Sequence, residues 1–271
     1  MSPVVAIAVI SVGASAMAWV ASTVTHDYSW VDRLWSVLPV IYSWIFAIGS
    51  DFDARITLMA ILVTAWGARL TFNLARRGGY SGVQDYRWVI LRKRMPHWAF
   101  SVFNLLFIVL FQNALLVFIC LPALTALEHR GAPLGAVDLV LAAAFVGALV
   151  GETVADQQQW QFHQWKRGQR AAGVRPEPGF IQTGLWRYSR HPNFFFEQVQ
   201  WWIFFLFGAA AAGSLLQWTA LGPALLSVLF VGSTIFTESI TRARYPQYAS
   251  RQKSVSPLIP WPPRSALPVA P

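Results

Sequence analysis

The chain has 271 residues, 55% of them hydrophobic and only 12% charged, with a mean hydropathy of +0.45; a soluble globular domain carries about 25% charged residues, so that class is excluded. The net charge of +9 reads as membrane-topology signal and contact with anionic lipid headgroups, not as a nucleic-acid footprint. A single cysteine, Cys120, excludes an intrachain disulfide, and five histidines without HxxxH or HxxE spacing argue against a metal centre.

Seven apolar runs approach or reach the roughly 20 residues that cross a bilayer as a helix. They cover 4–24, 31–49, 56–74, 98–121, 134–154, 194–212 and 215–237, and predict an all-α polytopic membrane protein, a seven-helix transmembrane bundle. The first run has no Lys or Arg before Arg33, so it reads as a retained helix and not as a signal peptide. The fifth is expected to continue beyond the membrane through 156–167, which lacks Gly and Pro, and to stop at Gly168. Gly147 and Gly151 within it read as a helix-packing pair. The proline-rich 256–264 must be extended or turned, and the last residues, 265–271, are expected to fray. The bundle thus reads as a single domain over 1–264.

Charge sets the expected orientation. Of 21 Lys and Arg residues, six lie in 75–97, six in 155–192 and five in 238–271. With seven helices these regions share one face, which the positive-inside rule makes cytoplasmic. The N-terminus is then outside and the C-terminus cytoplasmic.

Most ionisable residues near the helix ends gather on that same face, the outer side holding little beyond Asp51, Asp53, Arg55 and 128–130 in short loops. Asp32 and Arg33 open the second helix, and Arg69 and Asn73 close the third. Glu152 and Asp156 lie near the inner end of the fifth, Asn193 and Glu197 open the sixth, and Glu238 closes the seventh. Carboxylates are too short to snorkel far, so the set predicts a water-accessible cavity sunk into the membrane from the cytoplasmic side. Arg187 and Arg190, with Arg76, Arg77 and Arg87, offer forked donors for phosphate oxygens. Asp156 suits an adenine amine or ribose hydroxyl, and Trp186 and Tyr188 offer faces for stacking. Neither GxGxxG nor GxxxxGK[ST] occurs, so a nucleotide would bind without a Rossmann or P-loop unit.

The segment Gly184-Leu185-Trp186-Arg187-Tyr188-Ser189-Arg190-His191-Pro192-Asn193-Phe194 with Glu197 resembles the C-terminal domain of the steroid 5α-reductase family, in particular its bacterial branch of membrane proteins. The upstream Glu152-xxx-Asp156 helix and Tyr245-Pro246 followed by Tyr248 and Arg251 extend the resemblance. So do Asp32-Arg33-Leu34-Trp35 and Trp66-Gly67-x-Arg69. The family's members are seven-helix reductases that use NADPH to reduce an activated carbon–carbon double bond.

By position, the resemblance implies that Asn193 and Glu197 hold the nicotinamide carboxamide or its ribose. Glu152, Asp156, Tyr188, Arg190, Tyr248 and Arg251 would contact the adenosine side; read from its own place before a proline at a helix start, His191 shapes the turn or touches phosphate. The first four helices, about 1–123, would face substrate, and 134–264 would hold the cofactor. The family's Gln-Glu pair in the second helix and Tyr in the third are absent here; Asp32, Tyr42, Arg69 and Asn73 are the substitutes, and Asp32 is equally a partner for Arg69. The expected partners are a lipophilic small-molecule substrate and membrane lipids, without nucleic acid, in a bacterial inner membrane. Two alternatives stand beside this. Membrane methyltransferases that use S-adenosylmethionine share an Arg-His-Pro signature but add a tandem Glu-Glu in the last helix, where this chain has Thr237-Glu238-Ser239. A non-enzymatic lipid-binding protein would also fit a polar cavity.

Overall fold

The computed structural model describes residues 1–264, so the 265–271 segment expected to fray lies outside the described residues. The described chain is all-α, with one isolated bridge between Ser189 and Ser256. Seven helical spans are long and apolar enough to cross a membrane, matching the seven runs: Pro3–Thr25, Trp30–Gly49, Ala54–Arg76, His97–Glu128, Ala136–Ala171, Pro192–Ala212 and Trp218–Arg244. The protein is an integral membrane protein. Large apolar side chains left exposed along these spans, such as Val12, Val24, Leu139, Val140 and Val228, are those a lipid solvent would cover.

The chain folds as two compact units: Met1–Phe145 with Trp201–Leu226, and Val146–Gln200 with the chain from Ser227 onward. In the first, α1 (Pro3–Thr25) starts with Pro3 in its first turn, behind an N-cap at Ser2 whose hydroxyl accepts from the Val5 amide. The second span is broken into α2 (Trp30–Trp35) and α3 (Leu38–Gly49). Pro39 explains the break: it has no N–H for the Trp35 carbonyl, and its ring crowds that carbonyl. Next, α4 (Ala54–Arg76) is capped by Asp53, which accepts from the amides of Arg55 and Ile56.

A short basic helix, α5 (Tyr86–Arg94), precedes the fourth span. That span consists of α6 (His97–Phe103), a π-helical stretch (Asn104–Phe111), α7 (Gln112–Cys120) and α8 (Pro122–Glu128). Pro122 repeats the logic of Pro39, separating α7 from α8. Its kink is packed closely: a side chain at Gly222 would run into the Phe118 carbonyl, and one at Gly208 would come within 2.5 Å of the Pro122 carbonyl. Phe46, Met59, Trp66, Leu116 and Phe204 are fully buried in this unit.

Connections in the first unit meet in two groups. Between α1–α2 and α4–α5, the Arg33 Nε donates to the Gly79 carbonyl at 2.7 Å, the Asp85 amide to Ser29 Oγ at 2.8 Å, and Trp88 Nε1 to Asp32 at 2.9 Å. Between the α3–α4 connection and the one that follows α8, the Arg55 guanidinium grips Asp138 through two hydrogen bonds of 2.7 and 2.9 Å, and the Gly131 amide donates to Asp53. First connection with third, and second with fourth, is the grouping that alternating membrane crossings require.

In the second unit, α9 (Ala136–Ala171) does not stop at Gly168 as expected. A mid-helix glycine costs only about 1 kcal/mol and is tolerated. The turn instead comes at Gly173, whose φ of 75° is the left-handed value a helix C-cap needs. The Val174 amide reaches back to the Gln169 carbonyl at 2.9 Å to close it. Gly147 has open space around it, so of the expected glycine pair only Gly151 packs closely: a Cβ placed there would come within 2.6 Å of the Phe196 ring. A 3-10 turn (Gly184–Arg187), α10 (Pro192–Ala212), α11 (Leu221–Arg244) and α12 (Tyr248–Ser254) complete the chain. Residues 255–261 bend past the 3-10 turn. There the Arg190 amide donates to the Ser256 carbonyl, the Trp261 amide to the Tyr188 carbonyl, and Ser189 Oγ to the Leu258 carbonyl.

Candidate functional site

The Gly184–Asn193 segment is held from beneath by α9. Gln158 Oε1 accepts the Leu185 amide at 3.0 Å, and Trp186 Nε1 donates to the Ala155 carbonyl at 3.0 Å. Gly184, at φ 62°, faces the Gln158 side chain with no room for a Cβ. Pro192 then opens α10 with its fixed φ, and Ser189 Oγ accepts the His191 amide at 3.1 Å.

Two polar clusters follow. One is centred on Glu238, which the sequence shows only as a carboxylate closing the last span. Arg190 forks onto it at 2.6 and 3.0 Å. His191 Nε2 lies 3.0 Å away, Tyr248 donates at 3.2 Å and Gln252 Nε2 at 2.8 Å. Arg190 Nη1 donates to the carbonyls of Gln252 and Val255, both at 2.7 Å. The guanidinium fork read from sequence as a phosphate grip is therefore closed on protein, and His191, stacked on Phe194, is held with it. Arg251 is buried and donates to the Trp186 carbonyl.

Burial, with the Glu238 carboxylate alongside, pushes the Tyr248 hydroxyl above the ordinary tyrosine range. Burial lowers the Arg251 guanidinium from its ordinary value. A cavity of about 550 Å³ opens beside the cluster, lined by Ile235, Glu238, Ser239, Arg242, Ala243 and Gln252.

The other cluster lies between α9 and α10. Asn193 Nδ2 donates to Asp156 at 3.4 Å, and Gln200 Nε2 to Glu152 at 2.7 Å. Glu152 and Asp156 are one turn apart on α9; Asn193, Glu197 and Gln200 follow one face of α10. Glu152, Asp156, Glu197 and Gln200 are all buried. The two helices run in opposite directions, so the contacts form two rungs, Asp156–Asn193 near the mouth of α10 and Glu152–Gln200 deeper. Arg187 and Tyr188 are exposed, with the guanidinium 6.0 Å from the ring centre.

The sequence reading had singled out four of these five residues. Gln200 escaped it, although its spacing of three from Glu197 and seven from Asn193 was the available signal.

The proposed substrate-side residues belong to the first unit. Asp32, on α2, is tied to Trp88 of α5. Tyr42 is fully buried on α3, and Arg69 is half-buried on α4. Asn73 Oδ1 accepts from Arg76 Nε at 2.9 Å, which ties up one of the arginines considered for phosphate. Among the described residues, no three His, Cys, Asp or Glu side chains are grouped to hold a metal ion.

A family described as "Protein of unknown function (DUF1295)" matches residues 18–255, a span reaching from α1 to α12 and holding every residue named above as a site candidate. The chain belongs to the DUF1295 family. An uncharacterized protein of Schizosaccharomyces pombe is 38% identical over 258 residues, a match covering 89% of this chain and 75% of the relative. No solved structure matches the chain. The match of this DUF1295 member to the family takes in both polar clusters, the last turns of the first span and the other six spans whole.

Proposed function

We propose that this membrane protein is an NADPH-dependent reductase of a carbon–carbon double bond in a lipophilic enone, steroid-like or isoprenoid. The reading rests on the row between α9 and α10 formed by the buried Glu152, Asp156 and Glu197 with the half-buried Asn193. Carboxylates at that depth in a membrane-spanning segment need hydrogen-bond donors. Ribose hydroxyls and a carboxamide N–H are donors of that kind, so the donor–acceptor set fits the cofactor. Its chemistry when bound is hydride donation to the activated alkene.

The protein's own residues bind and position. Asp156, near the mouth, accepts from ribose, and Asn193 and Glu197 hold the nicotinamide end. The exposed Arg187 and Tyr188 meet phosphate and base. Arg190, His191 and Tyr248 act one step back, fixing the entrance of α10 against Glu238, and Arg251 anchors the Trp186 turn. Asp32, Tyr42 and Arg69 are the first unit's candidates for polarising a substrate carbonyl as enolate charge develops. The basic connections support a site reached from the cytoplasm, the N-terminus outside, in a bacterial cytoplasmic membrane.

A second reading has its own observation. Arg190 and His191 converge on a carboxylate of the last span, in the region where membrane methyltransferases carry their Glu pair. Titrating the detergent-purified protein with NADPH and with S-adenosylmethionine separates the two. The reductase reading expects saturable NADPH binding. Tight S-adenosylmethionine binding without NADPH binding ends it, and a lipid-binding protein without enzymatic activity binds neither.

A further inference from the structure

Gln200 occupies the deep rung between α9 and α10. Its side chain is fully buried, and Nε2 donates both to Glu152 Oε2 at 2.7 Å and to the Phe196 carbonyl at 3.1 Å. Two acceptors on one side of a carboxamide settle which end is nitrogen, because the flipped amide would set oxygen against oxygen twice. Both N–H groups are thereby used. Oε1 faces away and accepts from no donor among the described residues. An amide oxygen buried in a low-dielectric interior without a donor is costly, and its orientation here is imposed by a carboxylate.

Position narrows the ligand chemistry. Gln200 continues the face of α10 that carries Asn193 and Glu197, at the end farthest from the helix mouth. A third carboxylate there would repel Glu152 and Glu197, whereas a neutral amide oxygen accepts an N–H without adding charge. The group at the deep end of a dinucleotide entering past Arg187 is the nicotinamide, whose carboxamide presents two N–H donors.

Resting on the reading of this row as an NADPH site, we propose that Gln200 Oε1 is the acceptor for the nicotinamide carboxamide N–H. Glu152 is the positioning residue that holds the Gln200 amide the right way round. Glu152 then serves the nicotinamide end, not the adenosine end that the family resemblance implies.

The test uses the full-length protein in detergent and two reduced cofactors, NADPH and its 3-acetylpyridine analogue, in which a methyl group stands where the carboxamide has its NH₂. The wild type is expected to bind NADPH about tenfold more tightly than the analogue. Gln200→Met is expected to lose about tenfold in NADPH affinity while keeping its affinity for the analogue, so that the preference disappears. Glu152→Gln, which frees the Gln200 amide to turn over, should narrow the preference without abolishing binding.

Equal wild-type affinity for the two cofactors overturns the inference, and that arm needs no variant to fold. Equal weakening of both cofactors by Gln200→Met makes Gln200 a helix clamp and also overturns it. If the wild type binds neither cofactor, the reductase reading fails and takes this inference with it.

Discussion

At the scale of single residues, Glu238 matters most to the integrity of the second unit. Five hydrogen bonds end on its carboxylate, from Arg190, His191, Tyr248 and Gln252. Replacing it with alanine leaves the Arg190 guanidinium buried without its counter-charge, a change that costs about 3–5 kcal/mol. We therefore expect Glu238→Ala to lower the thermal midpoint in detergent by several degrees, and Glu238→Gln, which retains some acceptor capacity, by less.

Tyr248 supplies a pH signature. Its proton is held more tightly in the folded state than in the unfolded chain, through burial and the adjacent carboxylate. Its contribution to stability is then fully present below the ordinary tyrosine pKa of about 10, and is lost as pH rises through the higher folded value. Ultraviolet titration of wild type against Tyr248→Phe should show no tyrosinate from this residue at about pH 11 while the protein remains folded; ionisation near pH 10 would contradict the burial argument. For the proposed site, Asn193→Ala and Glu197→Gln should weaken NADPH binding by about tenfold or more with the thermal midpoint preserved, and normal binding by both would place the site elsewhere.

At the scale of elements, the membrane spans are shaped by prolines and by the glycines that pack against them. Pro39 and Pro122 each interrupt a span, and the carbonyls around the Pro122 kink are met by Gly208 and Gly222. Helices in lipid pack through such small residues because no hydrophobic force separates a helix neighbour from an acyl chain. Gly222→Ala should therefore destabilise by about 1–3 kcal/mol through backbone displacement. Gly147→Ala, with open space around it, should be neutral or slightly stabilising. A thermal shift series on the two variants checks the contrast. The glycine pair on α9 was legible as a motif, but which glycine touches a neighbour was not, because spacing encodes a shared face and not what lies opposite it.

At the scale of the whole molecule, the first unit already pairs its connections in alternation, first with third and second with fourth. The single cysteine is fully buried, so introduced cysteines report topology cleanly. A membrane-impermeant maleimide should label Arg130→Cys in intact cells, and Arg175→Cys only after permeabilisation; the reverse pattern would invert the orientation argued from charge. Much of the candidate site was legible too. Glu152, Asp156, Asn193 and Glu197 stood out because carboxylates and amides are rare in apolar runs and need a reason to be there. Arg190 and His191 stood out equally, but the sequence could not show that their partner is Glu238, 48 and 47 positions away.

What the sequence alone determined is the class of the protein: seven apolar runs must become helices, because in lipid each backbone N–H and C=O has to be satisfied within its own segment. That rule is local, so it can be read from about 20 residues at a time. Tertiary structure alone decided the partners. Arg190 serves Glu238 and not a phosphate, α9 runs past Gly168 to Ala171 before turning at Gly173, and Gln200 joins Glu152 with its oxygen turned away. A hydrogen bond is a matter of a few tenths of an ångström between groups far apart in the chain, and hydropathy and spacing carry no information at that distance.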